Sequence, residues 1–103
     1  MGARPFLGAQ AAHVVPVGLF SKRAPAVQRA VSRAQNILTK HGIDLNNPVN
    51  GFWATAGHLG THKDRYLVAM ADRLKTADLR GGVYGVLSEL QKLKLDALAG
   101  KFI

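Results

Sequence analysis

An amphipathic pattern between residues 25 and 40 constrains the fold of this chain more than any other feature. The apolar positions of this stretch are Val27, Ala30, Val31, Ala34, Ile37 and Leu38. Their spacing of three and four residues is that of one helix face. Pro25 suits the first turn of a helix, and Gly42 suits the position just after its end. The pattern therefore predicts a helix over 25–40, and His41, near the negative end of the helix dipole, is assigned to capping and to no chemistry.

Two short strands and two more helices are predicted around this helix. The β-branched run at 13–17 contains a proline and predicts one strand or an extended edge, and the aromatic run at 51–55 predicts a second strand. Apolar residues at helical spacing predict a helix from residue 57 or 58 to 75 and another over 83–98, separated by a glycine pair. The predicted fold class is therefore α+β and mainly helical, in the order strand, helix, strand, helix, helix.

The composition of the 103 residues limits the kind of protein this can be. The length suits one domain. No cysteine is present, which excludes a disulfide framework, a thiolate zinc site and a cysteine nucleophile. No stretch approaches the roughly 18 apolar residues of a membrane span.

The net charge of +8 is unevenly distributed along the chain. Residues 1–43 contain no acidic residue, and all six acids lie between Asp44 and Asp96. A basic excess of this kind suits a phosphate-rich partner or an acidic protein, and it is equally typical of a solvated basic surface. Charge alone does not decide between these interpretations.

Three histidines and an asparagine are the candidates for chemistry. His58 and His62 are four residues apart on the predicted second helix, so both imidazoles would lie on one face and could bind one metal ion. Taken singly, such a pair more often packs or is solvated, His13 is an ordinary strand-end residue, and Asn50 is an ordinary turn residue. Their combination is more informative than any one of them.

Together, three separated motifs resemble the AHH family of toxin nucleases, which belongs to the His-Asn-His, or His-Me finger, superfamily. The motifs are Ala11-Ala12-His13-Val14-Val15-Pro16, then Gly42-Ile43-Asp44-Leu45-Asn46 with Asn50-Gly51, then His58-x3-His62-x3-Tyr66. The resemblance covers about residues 10–75, and the motifs occur in the family's order. It implies a ββα-metal core with the helix over 25–40 inserted between its two short strands, and with the helix over 83–98 as an extra C-terminal element.

The resemblance also implies a role for each of these residues. His13 matches the general base, and Asn50 matches the asparagine that holds this base through a hydrogen bond. His58 and His62 match ligands of one divalent metal ion, which could be Zn, Mg, Mn or Ni. These roles suit phosphodiester hydrolysis, because imidazole accepts a proton at neutral pH and a cation stabilises the developing oxyanion.

Position 12 departs from the family motif, which has Ala-His-His where this chain has Ala11-Ala12-His13. The first histidine of the motif belongs to the metal site, and a methyl group cannot bind a cation. Ala12 is either a natural variation, in which water or another side chain completes the site, or a deliberate His-to-Ala change, and we favour the second. In both cases the chain as written is expected to bind metal weakly and to cleave poorly.

The resemblance implies a single toxin nuclease domain over 1–103. We expect 1–10 to be an extended leader at the cut end of a longer effector, 11–75 to be the ββα-metal region, and 83–98 to be the C-terminal helix. Such a domain is delivered by a bacterial secretion system into the cytoplasm of a target cell. A cognate immunity protein, here expected to be acidic, would bind it, and a monomer is expected.

The predicted substrate is DNA, bound through its phosphate backbone without sequence preference. The expected contacts are Lys63, Arg65, Arg29 and Arg33. Two alternatives stay open: an RNA-cleaving toxin of the same fold, and a non-catalytic basic helical module that binds nucleic acid or an acidic protein. Geometry separates the module from the nuclease, because a nuclease requires the three histidines to converge on one cation and Asn50 to face His13.

Overall fold

The computed structural model describes residues 10–54 and 63–102. Within these ranges the elements are β1 (Gln10–His13), α1 (Pro25–Lys40), a short 3-10 helix (Pro48–Asn50), β2 (Gly51–Ala54) and α2 (Asp64–Leu98). The described part is thus mainly helical with a small two-stranded sheet, as the predicted α+β class requires. None of its helices is long and apolar enough to cross a membrane.

The two strands form an antiparallel pair, with Ala12 opposite Phe52 and His13 opposite Gly51. The second strand is confirmed over Gly51–Ala54, while Thr55 lies outside the described residues. The strand predicted over 13–17 is wrong beyond its first residue, because the chain leaves the sheet after His13. Gln10 belongs to β1 and not to the predicted leader, and residues 1–9 lie outside the described part.

Helix α1 is confirmed at both ends. It begins at Pro25 and ends at Lys40, and its six buried residues are those of the predicted apolar stripe. His41 is the C-cap residue, with its backbone N–H bonded to the carbonyl of Leu38, and Gly42 follows with a φ of 70°. A left-handed residue after the cap is a common way for a helix to end, and glycine adopts it at the lowest cost.

Helix α2 folds back on itself at Gly82, where φ is 56° and ψ is −141°. We call residues 64–81 the first arm and residues 83–98 the second arm. The predicted break at the glycine pair is confirmed, but the predicted end of the earlier helix at Lys75 is wrong, because the first arm remains helical up to the glycines. The two arms run antiparallel, as the bonds from Arg73 to Glu89 and Asp96 show.

The start of α2 also differs from the prediction. Lys63 is the N-cap residue with extended backbone angles (φ −77°, ψ 147°), so the helix begins at Asp64 and not at residue 57 or 58. His58 and His62 both precede this start and lie outside the described residues. Helix α2 therefore does not place the two imidazoles on one of its faces, because it begins after both residues.

The core lies between α1, the sheet and both arms of α2. Tyr66 on the first arm ties these parts together. Its hydroxyl donates to the carbonyl oxygen of Val14 at 2.6 Å, and its ring meets Phe102 edge-on at a centroid distance of 4.8 Å. Burial raises the pKa of Tyr66 well above its usual range, which keeps the hydroxyl protonated and able to donate. The backbone just after His13 is thereby anchored to α2.

Three aspartates of the first arm pair with cations of the basic N-terminal half. The pairs are Arg23–Asp64 at 2.5 Å, Arg33–Asp72 at 3.3 Å and Lys40–Asp78. Nε2 of His41 also lies 2.6 Å from a carboxylate oxygen of Asp78. His41 therefore caps α1 and also joins it to α2. Part of the charge asymmetry seen in the sequence is therefore satisfied inside the chain.

Candidate functional site

His13 is the last residue of β1, and its half-buried ring faces the loop that follows α1. Its Nε2 lies 3.2 Å from Oδ1 of Asn46. Because an amide oxygen only accepts hydrogen bonds, Nε2 carries the proton in this contact. In the neutral ring, Nδ1 is then the nitrogen with a free lone pair. The contact selects a tautomer that can accept a proton at Nδ1.

Asn50 is fully buried and connects three segments of the backbone. Its Oδ1 accepts from the N–H of Val15 at 2.8 Å, and its Nδ2 donates to the carbonyls of Val15 at 2.9 Å and Leu45 at 2.8 Å. Its own carbonyl accepts from the N–H of Val14 at 2.8 Å. These bonds take the backbone after His13 away from strand pairing, which explains why β1 ends where it does.

The predicted hydrogen bond from Asn50 to His13 is therefore wrong. Both amide hydrogens of Asn50 are used on backbone carbonyls, and Asn46 occupies the place at the imidazole. Asn50 instead fixes the two backbone segments that present His13 and Asn46 to each other. Sequence reasoning missed Asn46 because an asparagine in Asn46-Asn47-Pro48 is an ordinary turn residue. Its membership in the second motif was the only signal that it could have a role.

The loop that carries Asn46 is held by local hydrogen bonds. The carboxylate of Asp44 accepts from the N–H of Asn46 at 2.7 Å, and the side chain of Asn47 accepts from the N–H of Val49 at 3.0 Å. Two such side-chain-to-backbone turns in succession give the loop a defined path. The amide at the His13 ring is thus presented by a preorganised segment.

Ala12 is buried, with 4% of its surface exposed, and lies opposite Phe52 in the sheet. A cavity of about 270 Å³ adjoins it, lined by Ala11, Ala12, His13, Pro16, Val17, Gly18 and Phe20. Position 12 therefore lies beside the proposed base and next to open volume. Alanine at this position supplies no atom that can bind a metal.

The described residues do not by themselves form a metal site. Between 10 and 54 and between 63 and 102, no group of three or more His, Asp or Glu side chains is placed to hold an ion. His58 and His62 lie outside the described residues. Their convergence with His13 stays a prediction. The described part of the site does not fit a metal ion, because Ala12 offers no ligand atom where the family motif has a histidine.

The loop between β1 and α1 borders this cavity and is fixed from both helices. Nε2 of Gln35 on α1 donates to the carbonyls of Pro16 at 2.8 Å and Gly18 at 2.9 Å. Phe20 adopts a left-handed backbone angle of 55°, and the guanidinium of Arg23 lies 5.3 Å from the centre of its ring. The ion pair of Arg23 with Asp64 joins the loop to the first turn of α2. The loop beside His13 is therefore held by side chains of both helices.

The four predicted nucleic-acid contacts are all exposed, on two different elements. Lys63 and Arg65 lie at the start of α2, the end that the Arg23–Asp64 pair ties to the loop beside His13. Arg29 and Arg33 face outward from α1, and Arg33 contacts Asp72. An exposed ion pair of that kind contributes little and exchanges readily. Contact with nucleic acid stays a prediction for all four.

Comparison with known proteins identifies a family for almost the whole chain. The family model of AHH, described as a nuclease family of the HNH/Endo VII superfamily with a conserved AHH motif, matches residues 2–101. No curated protein and no solved structure matches the chain.

Proposed function

The chain belongs to the AHH family, a nuclease family of the HNH/Endo VII superfamily, and from this membership we propose that it is a metal-dependent endonuclease toxin that hydrolyses the phosphodiester bonds of DNA. The observation that carries the proposal is the contact between His13 Nε2 and Asn46 Oδ1. It leaves Nδ1 of a half-exposed imidazole available at the end of β1, beside a cavity.

In this proposal His13 acts as the general base. Its Nδ1 takes a proton from a water molecule, the water oxygen attacks phosphorus, and the bond from phosphorus to the leaving oxygen breaks. Asn46 holds the ring in the required tautomer, and Asn50 keeps the supporting backbone in place. Positioning of this kind matters because a displacement of about 1 Å in a catalytic group can reduce a rate by roughly 100-fold.

The metal ion of the proposal is divalent, with His58 and His62 as its protein ligands. When bound, such an ion stabilises negative charge on the phosphate and on the leaving oxygen. Ala12 stands where the family motif has a further histidine and contributes no ligand. We therefore propose that the chain as written has weakened or no nuclease activity.

The substrate and the biological setting belong to the same proposal. The net charge of +8 and the exposed side chains of Lys63, Arg65, Arg29 and Arg33 suit binding to a phosphate backbone. RNA offers the same phosphates, so a matched RNA substrate belongs in every assay. The domain would act as a monomeric effector delivered by a bacterial secretion system into the cytoplasm of a target cell, where an acidic immunity protein would neutralise it.

A plasmid-nicking assay on the Ala12→His variant tests this proposal. We expect it to nick supercoiled DNA faster than the present chain by several orders of magnitude, and a chelator to abolish the gain. Ala11→His is the matched control, because it adds an imidazole at the adjacent, exposed position of the same strand. Equal activity of Ala12→His and the present chain would remove position 12 from the metal site. Faster cleavage of the RNA substrate would show that RNA, and not DNA, is the target.

A further inference from the structure

A groove of about 490 Å³ lies between the two arms of α2. Its lining includes Ala77, Gly81 and Gly85, together with the cations Arg80 and Lys92. The arms approach each other backbone to backbone here, because a Cβ atom at Gly85 would lie only 2.3 Å from the carbonyl oxygen of Ala77. None of the residues that line this groove lines the cavity beside His13.

Large apolar side chains also stand exposed along the second arm, outside the lining of the groove. Tyr84 is 81% exposed, Leu95 57% and Leu98 49%. They lie on one side of the helix with Ser88 and Gln91 between them, at spacings of three and four residues. The opposite side of the same arm already packs into the core through Val86, Leu90, Leu93 and Ala97. The second arm is therefore apolar on two faces, and only one of them is covered by described residues.

The charges around the groove favour an acidic partner. Glu89 and Asp96, the acids of the second arm, are both bonded to Arg73. On the first arm, Asp72 and Asp78 pair with cations of α1 and its C-cap. Within the described ranges, Arg80 and Lys92 have no ion pair of this kind. The lining of the groove contains three cations and two acids, Asp72 and Glu89, so its net charge is +1, and Arg80 and Lys92 are the cations left for a partner.

We propose that this surface, which we call the hairpin face and define by Arg80, Tyr84, Gly85, Ser88, Lys92 and Leu95, docks an acidic protein through an amphipathic helix. Carboxylates of the partner would meet Arg80 and Lys92. Its apolar side chains would cover Tyr84 and Leu95 and enter the groove over Gly85. Exposed aromatic and aliphatic anchors beside unpaired cations are typical of a protein interface.

Two other occupants fit less well. Nucleic acid would use the cations but would leave Leu95 and Leu98 uncovered, because phosphates and sugars do not bury such side chains. A second copy would bring two chains of charge +8 together, with Lys92 and Arg80 on both sides. The proposal rests on the acidic partner of the proposed function, but not on catalysis, since the hairpin face contains no residue of the His13 site.

The test is an NMR titration of the ¹⁵N-labelled chain with a synthetic peptide of about 18 residues, with leucine at spacings of three and four and glutamate elsewhere. We expect the amide signals of Ala77, Gly85, Ser88 and Lys92 to shift in a saturable manner. A scrambled peptide of the same composition, which cannot form an amphipathic helix, should bind at least about tenfold more weakly.

Charge-reversal variants decide whether the hairpin face is responsible. Lys92→Glu and Arg80→Glu should each weaken peptide binding by about tenfold or more, and so should Tyr84→Ala. Lys75→Glu makes the same charge change on the first arm outside the groove and should leave binding within about twofold. Because all four positions are exposed, the variants should fold, and unchanged spectra in the absence of peptide check this.

Several results would overturn the proposal. These are an absence of shifts at the hairpin face, equal weakening by Lys75→Glu, equal binding of the scrambled peptide, stronger shifts of the same amides with a short DNA duplex, or dimerisation of the chain abolished by Tyr84→Ala. Binding is read without cleavage, so a failed nicking assay leaves this test intact, and a failed titration leaves the proposed nuclease intact.

Discussion

At the scale of single residues, two asparagines divide one task between them. Asn46 touches the imidazole of His13, while Asn50 holds the backbone on both sides of that contact. The resemblance in sequence pointed to Asn50 and assigned it the direct contact. An amide that is buried and bonded to backbone atoms 35 residues away serves the site through geometry, and a local sequence pattern does not show such partners.

Asn50→Ala should destabilise the protein strongly. The substitution removes three side-chain hydrogen bonds and leaves the N–H of Val15 buried without its acceptor. The expected loss in the free energy of unfolding is about 2–4 kcal/mol, measured by urea denaturation. Asn36→Ala, on the exposed face of α1, is the control and should change stability by less than about 0.5 kcal/mol. Equal effects of the two substitutions would contradict the structural role of Asn50.

The candidate site residues were easier to find in the sequence than their contacts. His13 and Asn50 stand out because the resemblance assigns each of them a role, and the structure places both at the same end of the two-stranded sheet. The tautomer of His13 depends on Asn46, which is 33 residues away in the sequence, and a pattern of nearby residues cannot predict that contact. The boundary of β1 was missed for the same reason, since Val14 and Val15 have ordinary strand composition but bond to Asn50.

At the scale of elements, the boundaries that depend on short-range sequence signals were predicted correctly. Helix α1 matches the prediction at both ends because its proline, its apolar stripe and Gly42 all act within a few residues. The turn of α2 at Gly82 was also predicted correctly, because the glycine pair acts locally. The start of α2 was not, because Lys63 is extended and an apolar pattern alone does not fix where a helix begins.

Gly82 should be intolerant of any side chain, unlike the glycine beside it. Its φ of 56° with ψ of −141° is a conformation that residues with a Cβ atom rarely adopt. Gly82→Ala is expected to cost about 1–3 kcal/mol, seen as a lower midpoint in urea denaturation. Gly81→Ala is the matched control, because Gly81 is helical and has open space at its Cβ position, and it should stabilise by roughly 0.5–1 kcal/mol. A cost at Gly81 as large as at Gly82 would show that the turn lies elsewhere.

The junction between α1 and the first arm should make stability depend on pH. Hydrogen bonds from Lys40 and then His41 lower the pKa of Asp78. A carboxyl whose pKa is lowered by folding contributes stability above its unfolded value, near 3.9, and this contribution is lost as the pH falls through the lower folded pKa. The stability difference between the present chain and Asp78→Asn should therefore be present at pH 7 and shrink below about pH 4.

Asp72→Asn is the control for this junction. Its side chain is 66% exposed against 12% for Asp78, so its ion pair with Arg33 contributes less. The measurement is the urea midpoint of each variant across this pH range. A difference for Asp78→Asn that stays constant down to pH 2, or one no larger than that for Asp72→Asn, would exclude the junction as a source of stability.

At the scale of the whole molecule, the basic excess has two uses. Arg23, Arg33 and Lys40 pair with aspartates of the first arm, which holds the N-terminal half against the C-terminal half. Of the other described cations, Arg73 and Lys101 pair with acids of the second arm, whereas Lys22, Arg29, Lys63, Lys75, Arg80 and Lys92 are exposed and can meet a partner. The sequence shows that the charge is unevenly distributed, but it does not show which cations pair inside the chain. The pairs join residues that are 38 to 41 positions apart.

The central claim is that His13 is the base of a nuclease, and one measurement addresses it most directly. In a background of Ala12→His, the nicking rate of supercoiled DNA is compared with that of the same variant carrying His13→Ala. We predict a loss of roughly 100- to 10,000-fold on removing His13, the range that a general base contributes. Correct folding of both variants would be checked by their urea midpoints. Retention of the rate within about threefold would contradict the claim, because a base cannot be removed at so little cost.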